Sequence, residues 1–538
     1  MKTKYILISA LFGCFPLAMQ SQSAFDVYSL SQSDLRGTAR FMSMAGAFGA
    51  LGGDLSVLNQ NPGGIGIYRS SELGLTLNWD IQNTTTGNGL LGTEKHKDFN
   101  FSNIGYIGSY RTGSSIIPNI NWGISYNRTA SFNRHYSGGI GNLQGSMTNY
   151  IANQTTIGGW KPDELGAVQN GYNPYQDSYC PWMSILAYNS YLINPSGDTY
   201  NGLFQTSTTG RGELEVDERG GIDEYTLSFG GNAKDMIYWG ASLGIVDVDY
   251  QLYSYYGESL DNAYVPYYDN GDKLGNGSAS WGMENYFSMR GSGLNFKLGV
   301  IFKPINEFRV GFAFHTPTFY SLKSEYYANT SYAFSAYDMA STTNIAGKAT
   351  TDEGYVGETY FGMDSPWRFI GSAAAVVGGR GIISFDYERV AYPTMSVSYD
   401  GKEDTYVSDY IKSYYRSSNI FRLGGEFKVT PQFGVRLGYS LQLSPFTEEI
   451  RNDKLNVVQA GTTLSYTLDD NLQYITAGLG YRYKSFYIDM AYLYKTREST
   501  FHAYSPEVEP NGYLTGVSPT AKVSDKNHEI VLSIGLKF

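Results

Sequence analysis

Apolar and polar residues alternate with a period of two through the second half of the chain, most cleanly near its end. From Phe433 to Leu443 every second residue is apolar: Phe433, Val435, Leu437, Tyr439, Leu441, Leu443. Between them stand Gly434, Arg436, Gly438, Ser440 and Gln442. The last segment repeats this, with Ile530, Leu532, Ile534, Leu536 and Phe538 on one face and Val531, Ser533, Gly535 and Lys537 on the other. Alternate side chains of a strand point to opposite faces of a sheet. A sheet apolar on one side and small, polar or charged on the other predicts an all-β fold, a transmembrane barrel with a polar interior.

The same pattern, read with turn chemistry, predicts fourteen antiparallel strands: 71–80, 99–111, 119–134, 222–232, 236–257, 284–303, 306–327, 365–378, 380–399, 418–430, 432–446, 471–484, 486–504 and 527–538. Their connections alternate in length. Those at Thr112–Pro118, Ala233–Asp235, Pro304–Ile305, Gly379, Pro431 and Ser485 are tight. Those at 81–98, 135–221, 258–283, 328–364, 400–417, 447–470 and 505–526 are long. Short turns at one end and long loops at the other are the pattern of an outer-membrane barrel. Arg422, Glu426, Lys428, Arg436, Arg482, Asp386, Glu388 and Asp489 fall on the face opposite the apolar one. An Arg or Lys against lipid costs about 2–4 kcal/mol at midplane, so these charges must face inward, paired across the lumen. The largest loop, 135–221, carries Trp160, Trp182, Ile185 and Leu186, enough apolar surface for a folded cap.

Composition narrows this further. Mean hydropathy is −0.30, and no apolar run long enough for a membrane helix occurs beyond the N-terminus. The 63 glycines and 48 tyrosines, against 17% charged residues, suit curved strands with aromatic girdles better than a soluble propeller. Lys2 and Lys4 precede the apolar stretch Tyr5–Met19, which reads as a secretory signal over 1–20, cut between Gln20 and Ala24. Leu11-Phe12-Gly13-Cys14 looks like a lipidation box, but the apolar stretch before it is short and another follows. Removing 1–20 takes away two lysines and no acid, leaving 37 bases against 50 acids, a net −13 that argues against nucleic acid. Beyond the signal, Cys180 is the only cysteine, so no intramolecular disulfide forms. The five histidines lack metal-ligand spacing, and neither a metal nor another cofactor is expected.

Residues 21–70 do not alternate and read as a separate plug ahead of the barrel, 71–538. Ala, Gly and Met crowd 34–53, predicting one or two short helices, and Asn61-Pro62-Gly63-Gly64 forces a turn. The order R-G-x-A-R, M-A-G-A and D-x-S-x-x-x-x-N-P-G from Leu35 to Ile67 resembles the N-terminal hatch of the FadL/TodX family of outer-membrane transporters. There an Ala follows Asn-Pro where Gly63 stands here, a change expected to loosen the turn. The resemblance implies a monomeric fourteen-stranded barrel in the outer membrane of a Gram-negative bacterium. It also implies an N-terminal hatch, capture of hydrophobic molecules by extracellular loops, an internal pocket and lateral exit. Terminal Phe538 resembles the signature read by barrel-assembly machinery.

Passive uptake of a hydrophobic ligand such as a long-chain fatty acid is therefore the expected function. Phe41, Met42, Met44, Phe48 and Leu51 are the candidate apolar walls, and Asp54, Asn61, Pro62 and Gly63 the candidate hatch residues. A diffusion channel for polar solutes and a surface receptor or adhesin, for haem for example, are the competing readings. An enzyme is not expected. No G-x-S-x-G lies at a strand-to-helix turn, and Gly291-Ser292-Gly293 lies within a strand, where a glycine pair marks a bulge or bend.

Overall fold

In the computed structural model, which describes residues 23–166, 172–177, 180–266, 274–337, 344–458, 461–509 and 513–538, the alternating segments form fourteen antiparallel strands closed into one barrel. They are β1 (Glu72–Gly87), β2 (Gly92–Arg111), β3 (Asn119–Ser131, continued by Arg134–Ile140), β4 (Thr209–Ala233) and β5 (Ile237–Pro266). Next come β6 (Leu274–Ile305), β7 (Phe308–His315 and Phe319–Ala336), β8 (Gly357–Asp364 and Arg368–Val377), β9 (Gly381–Val390 and Ser396–Tyr399) and β10 (Ser418–Lys428). The last four are β11 (Phe433–Gln442), β12 (Tyr466–Tyr483), β13 (Phe486–His502) and β14 (Thr520–Lys537). β1 pairs with β14 from Glu72↔Lys537 to Gly87↔Lys522, so the ring has no free edge.

The period of two does what the sequence predicts. Leu437 and Tyr439 face outward, while Arg436 beside them is buried in the lumen. On β5 the outward side chains from Ile237 to Ile245 are apolar before Asp247 interrupts. That run climbs about 27 Å along the strand, close, once tilt is allowed for, to the roughly 25 Å apolar band of a membrane barrel. The short turns lie at 112–118, 234–236, 306–307, 378–380, 429–432 and 484–485, as expected. At 378–380 the φ angles of Gly378 and Gly379 are 57° and 67°, left-handed values that glycine adopts without a Cβ penalty.

The strands are longer than the sequence suggests. β1 runs on to Gly87 and β2 begins at Gly92, so the loop expected at 81–98 shrinks to four residues. β4, β5, β6 and β7 likewise extend into the stretches expected as loops 135–221, 258–283 and 328–364. Above the membrane the polarity of the faces inverts: buried Leu214 and Val216 point inward to the cap and Glu213 and Glu215 point outward, while the hydrogen-bonded ladder continues. The register of β6 with β5 and β7 passes straight through Gly291-Ser292-Gly293, so no bulge sits there.

Between β3 and β4 lies the cap, whose apolar groups pack inward. Ile151, Leu165, Ile185 and Leu186 join Leu214, Val216 and Tyr256 of the rising strands in one core, with Trp160 packed at its border. Trp182 instead meets Tyr326 of β7 edge-on at 5.0 Å. Cys180 is buried beneath the cap as a free thiol. The expected signal, 1–20, lies outside the described residues.

Candidate functional site: the lumen around the N-terminal segment

Residues 24–67 run down the inside of the barrel. Helix α1 (Ala24–Ser31) starts with a capping box in which Ser23 and Asp26 satisfy each other's backbone N–H groups. It sits high in the lumen among rings: Phe25 lies 4.9 Å from Tyr466, Tyr28 stacks on Tyr415 at 5.3 Å, and Tyr415 donates its hydroxyl to the Ala24 carbonyl at 3.1 Å. The chain then descends past Asp34, held by Lys495 at 2.6 Å, and Arg36, which lies 3.5 Å from Glu529 and 3.7 Å from Asp80. Helix α2 (Ala39–Ser43) carries Arg40, 2.9 Å from Glu426 of β10. Arg436 joins Glu426 at 2.7 Å to Asp489 at 2.6 Å, so the lumen charges read from the sequence form a chain that ends on the N-terminal segment. Lys428 and Arg482 lie instead at the exposed end near the short turns.

Helix α3 (Val57–Gln60) and the turn Pro62–Ile67 are sewn to the wall by side-chain amides. Asn61 is fully buried. Its Nδ2 donates to the Gly49 carbonyl at 2.5 Å, and its Oδ1 accepts the Gly63 N–H at 3.0 Å. Asn121 of β3 donates to the Ile65 carbonyl at 2.6 Å, and Asp386 of β9 accepts from the Gly49 N–H at 2.8 Å and from Gln60 at 3.1 Å. Each bond meets a backbone or amide group that would otherwise be buried without a partner.

β3 bends halfway up. From Asn119 to Asn127 it pairs with β2, but above that point its second piece leaves β2 and crosses the inner side of the β1–β2 hairpin, pairing at Leu90. The wall between β2 and β3 is then spanned by side chains, Asn133 to Asp98 at 2.6 Å and Ser137 to Glu94 at 2.7 Å. Asp34 reaches the bend, accepting the Ser131 N–H at 3.1 Å and donating its own N–H to the Thr129 carbonyl at 3.0 Å. Two cavities flank the descending segment and share Gln32, Ser33 and Asp34 as their common wall. The upper lies beneath α1 and ends on a buried set of Arg134, Arg497, Asp469 and Asp525. The lower extends to Asn127, Arg128 and Thr129 at the bend. Its walls combine Leu30, Phe41, Ile222, Val246, Ile370 and Ile420 with Arg36, Lys297, Glu224, Arg368, Glu388 and Arg422.

No protein-family model and no curated protein matches the sequence. The fold resembles a solved one: the crystal structure of a Pseudomonas aeruginosa FadL homologue aligns over 94% of this chain and 99% of that one, with a TM-score of 0.52 at 13% identity. The fold is of the FadL/TodX type. The P. putida toluene transporter TodX aligns over the same shares with a TM-score of 0.49 at 12% identity.

Within this FadL/TodX-type barrel the candidate residues divide. Phe41, Met42, Met44, Phe48 and Leu51 are all buried in one core with Leu472, Leu493 and Val531 of the wall, and of these Phe41 borders the lower cavity. Asp54 accepts from the Thr38 hydroxyl with both oxygens, at 2.8 and 2.9 Å, and from the Ser56 N–H at 3.0 Å, and so fixes the start of α2. Gly63, flanked by Pro62, carries a different role from the one expected. A methyl placed there would stand 2.9 Å from the backbone of Gly299 and Val300, so glycine allows the turn to touch the wall rather than loosening it. We expect Gly63→Ala to lower barrel stability by about 1–3 kcal/mol, read as an earlier loss of the compact band on heated gels. An unchanged transition would refute the close fit. The sequence reading passed over Arg36, Glu224, Lys297 and Arg368 as site residues. Arg36 stood in the R-G-x-A-R motif, but the others carry no local signal because the barrel alone brings them together.

Proposed function

We propose that this chain is an outer-membrane channel of the FadL/TodX kind, taking up amphipathic hydrophobic molecules with an anionic end, long-chain fatty acids foremost. One observation carries the reading. Arg368 and Arg422 share the single carboxylate of Glu388, at 3.2 and 2.6 Å, and Arg422 Nη1 has no hydrogen-bond partner among the described residues. One guanidinium nitrogen without a hydrogen-bond partner thus borders a cavity that is also walled by Leu30, Ile370 and Ile420. A carboxylate would pair with the free guanidinium edge while an alkyl chain covers the apolar wall. In this reading residues 24–67 act as the hatch, the upper cavity receives ligand from the loops, and the β2–β3 gap is the way out sideways. Phe538 serves barrel assembly.

Arg422→Ala tests this. Affinity for a long-chain fatty acid should fall about tenfold or more, while a neutral hydrocarbon binds as before, since a charge-assisted bond accounts for roughly 1.5–3 kcal/mol. Equal losses for both ligands would refute an anionic end. The polar share of both cavity linings favours a second reading, a pore for polar solutes. Large steady conductance of the unmodified protein in planar bilayers would establish it.

A further inference from the structure

β4 to β7 rise well past the apolar belt as one four-stranded wall, and its outer face is neither lipid-like nor uniformly charged. Tyr253 of β5 stands eight residues beyond Ile245, the last apolar outward position, or about 27 Å further along the strand. It pairs across the sheet with Tyr286, which pairs with Tyr327, giving ring centroids 4.9 and 5.1 Å apart on three neighbouring strands. One step higher, Tyr255 lies down across Gly257 and Gly282, and a Cβ at either glycine would collide with its ring. Glycines in mid-strand usually mark a close approach. Here they form a floor that turns one face of Tyr255 outward.

Tyr255 is flanked in register by the exposed carboxylates Glu215 of β4 and Glu284 of β6. The nearby cations Arg219 and Arg290 are already engaged by Asp217 and Asp249. The face therefore combines flat aromatic surface with hydrogen-bond acceptors and an excess of negative charge. Phosphate and sulfate groups are repelled by it. A neutral sugar fits: its C–H face covers an aromatic ring and its hydroxyls donate to carboxylates.

We infer that the outer face around Tyr255, Tyr253 and Tyr286 is a docking platform for the neutral sugar chain of a glycolipid anchored in the same membrane as the barrel. The anchor follows from continuity. The platform is the upward extension of the lipid-facing surface on the same strands, so a glycolipid seated against Ile245 and Leu294 would present its sugars to it. The inference does not rest on what the lumen carries.

The test uses the full barrel in vesicles doped with a neutral-sugar glycolipid or with the same lipid lacking its sugars, and measures retained glycolipid per barrel and its affinity. The double change Tyr253→Ala and Tyr255→Ala should weaken binding roughly tenfold, and Tyr255→Phe should hold it within about twofold. Gly282→Val, which lifts the ring, should match the alanine pair. Heated-gel mobility identical to the parent protein shows that each variant is folded. Three results would overturn the inference: equal binding of the sugar-free lipid, an alanine pair that binds as the parent does, or a free oligosaccharide bound as tightly as the anchored one.

Discussion

Glu388→Gln should destabilise the barrel by about 3–5 kcal/mol, the cost of leaving buried charge without its partner. Glu388 is almost fully buried and pairs with both Arg368 and Arg422. The glutamine keeps the shape and one acceptor but removes the charge, so two guanidiniums repel each other across a lumen that screens them poorly. Heated-gel mobility or denaturant titration reads the loss. Adding Arg422→Gln should recover much of it, because the double variant retains one guanidinium instead of two; such neighbours are not additive. A single variant as stable as the parent would mean that water, not Glu388, solvates these arginines.

Asn61→Ala should loosen the interior segment and spare the barrel. It removes the acceptor for the Gly63 N–H and the donor to the Gly49 carbonyl, both within buried backbone. Each orphaned group costs about 1–3 kcal/mol, borne by the packing of 44–67 and not by the fourteen-strand ladder. The expected result is a clear rise in bilayer conductance with an almost unchanged melting of the barrel. Silence in the bilayer would show that residues 24–67 are held by packing alone.

The period-two segments were readable because a strand between lipid and lumen must alternate. Leu437 and Arg436 are neighbours in sequence and face opposite solvents. Above the lipid the apolar residues switch to the inner face, as at Leu214 and Val216, and the upper ends of β4 to β7 were mistaken for loops. The turn at Asn61-Pro62-Gly63 was readable for a different reason: it breaks the alternation, and its turn chemistry is local. α1 was not anticipated, and the rings it packs against, such as Tyr415 and Tyr466, come from roughly four hundred residues or more away.

The sequence by itself determined the barrel, its strand number, the end on which the long loops lie and the presence of an interior segment, all of which follow from short-range periodicity and turn residues. Only the tertiary structure decided what the interior segment touches. Closure set Glu388 between Arg368 and Arg422, bent β3 away from β2, and laid Tyr255 across Gly257 and Gly282. Each of these depends on residues brought together by strand register, and a charge or a glycine carries no mark of its partner until the sheet has closed.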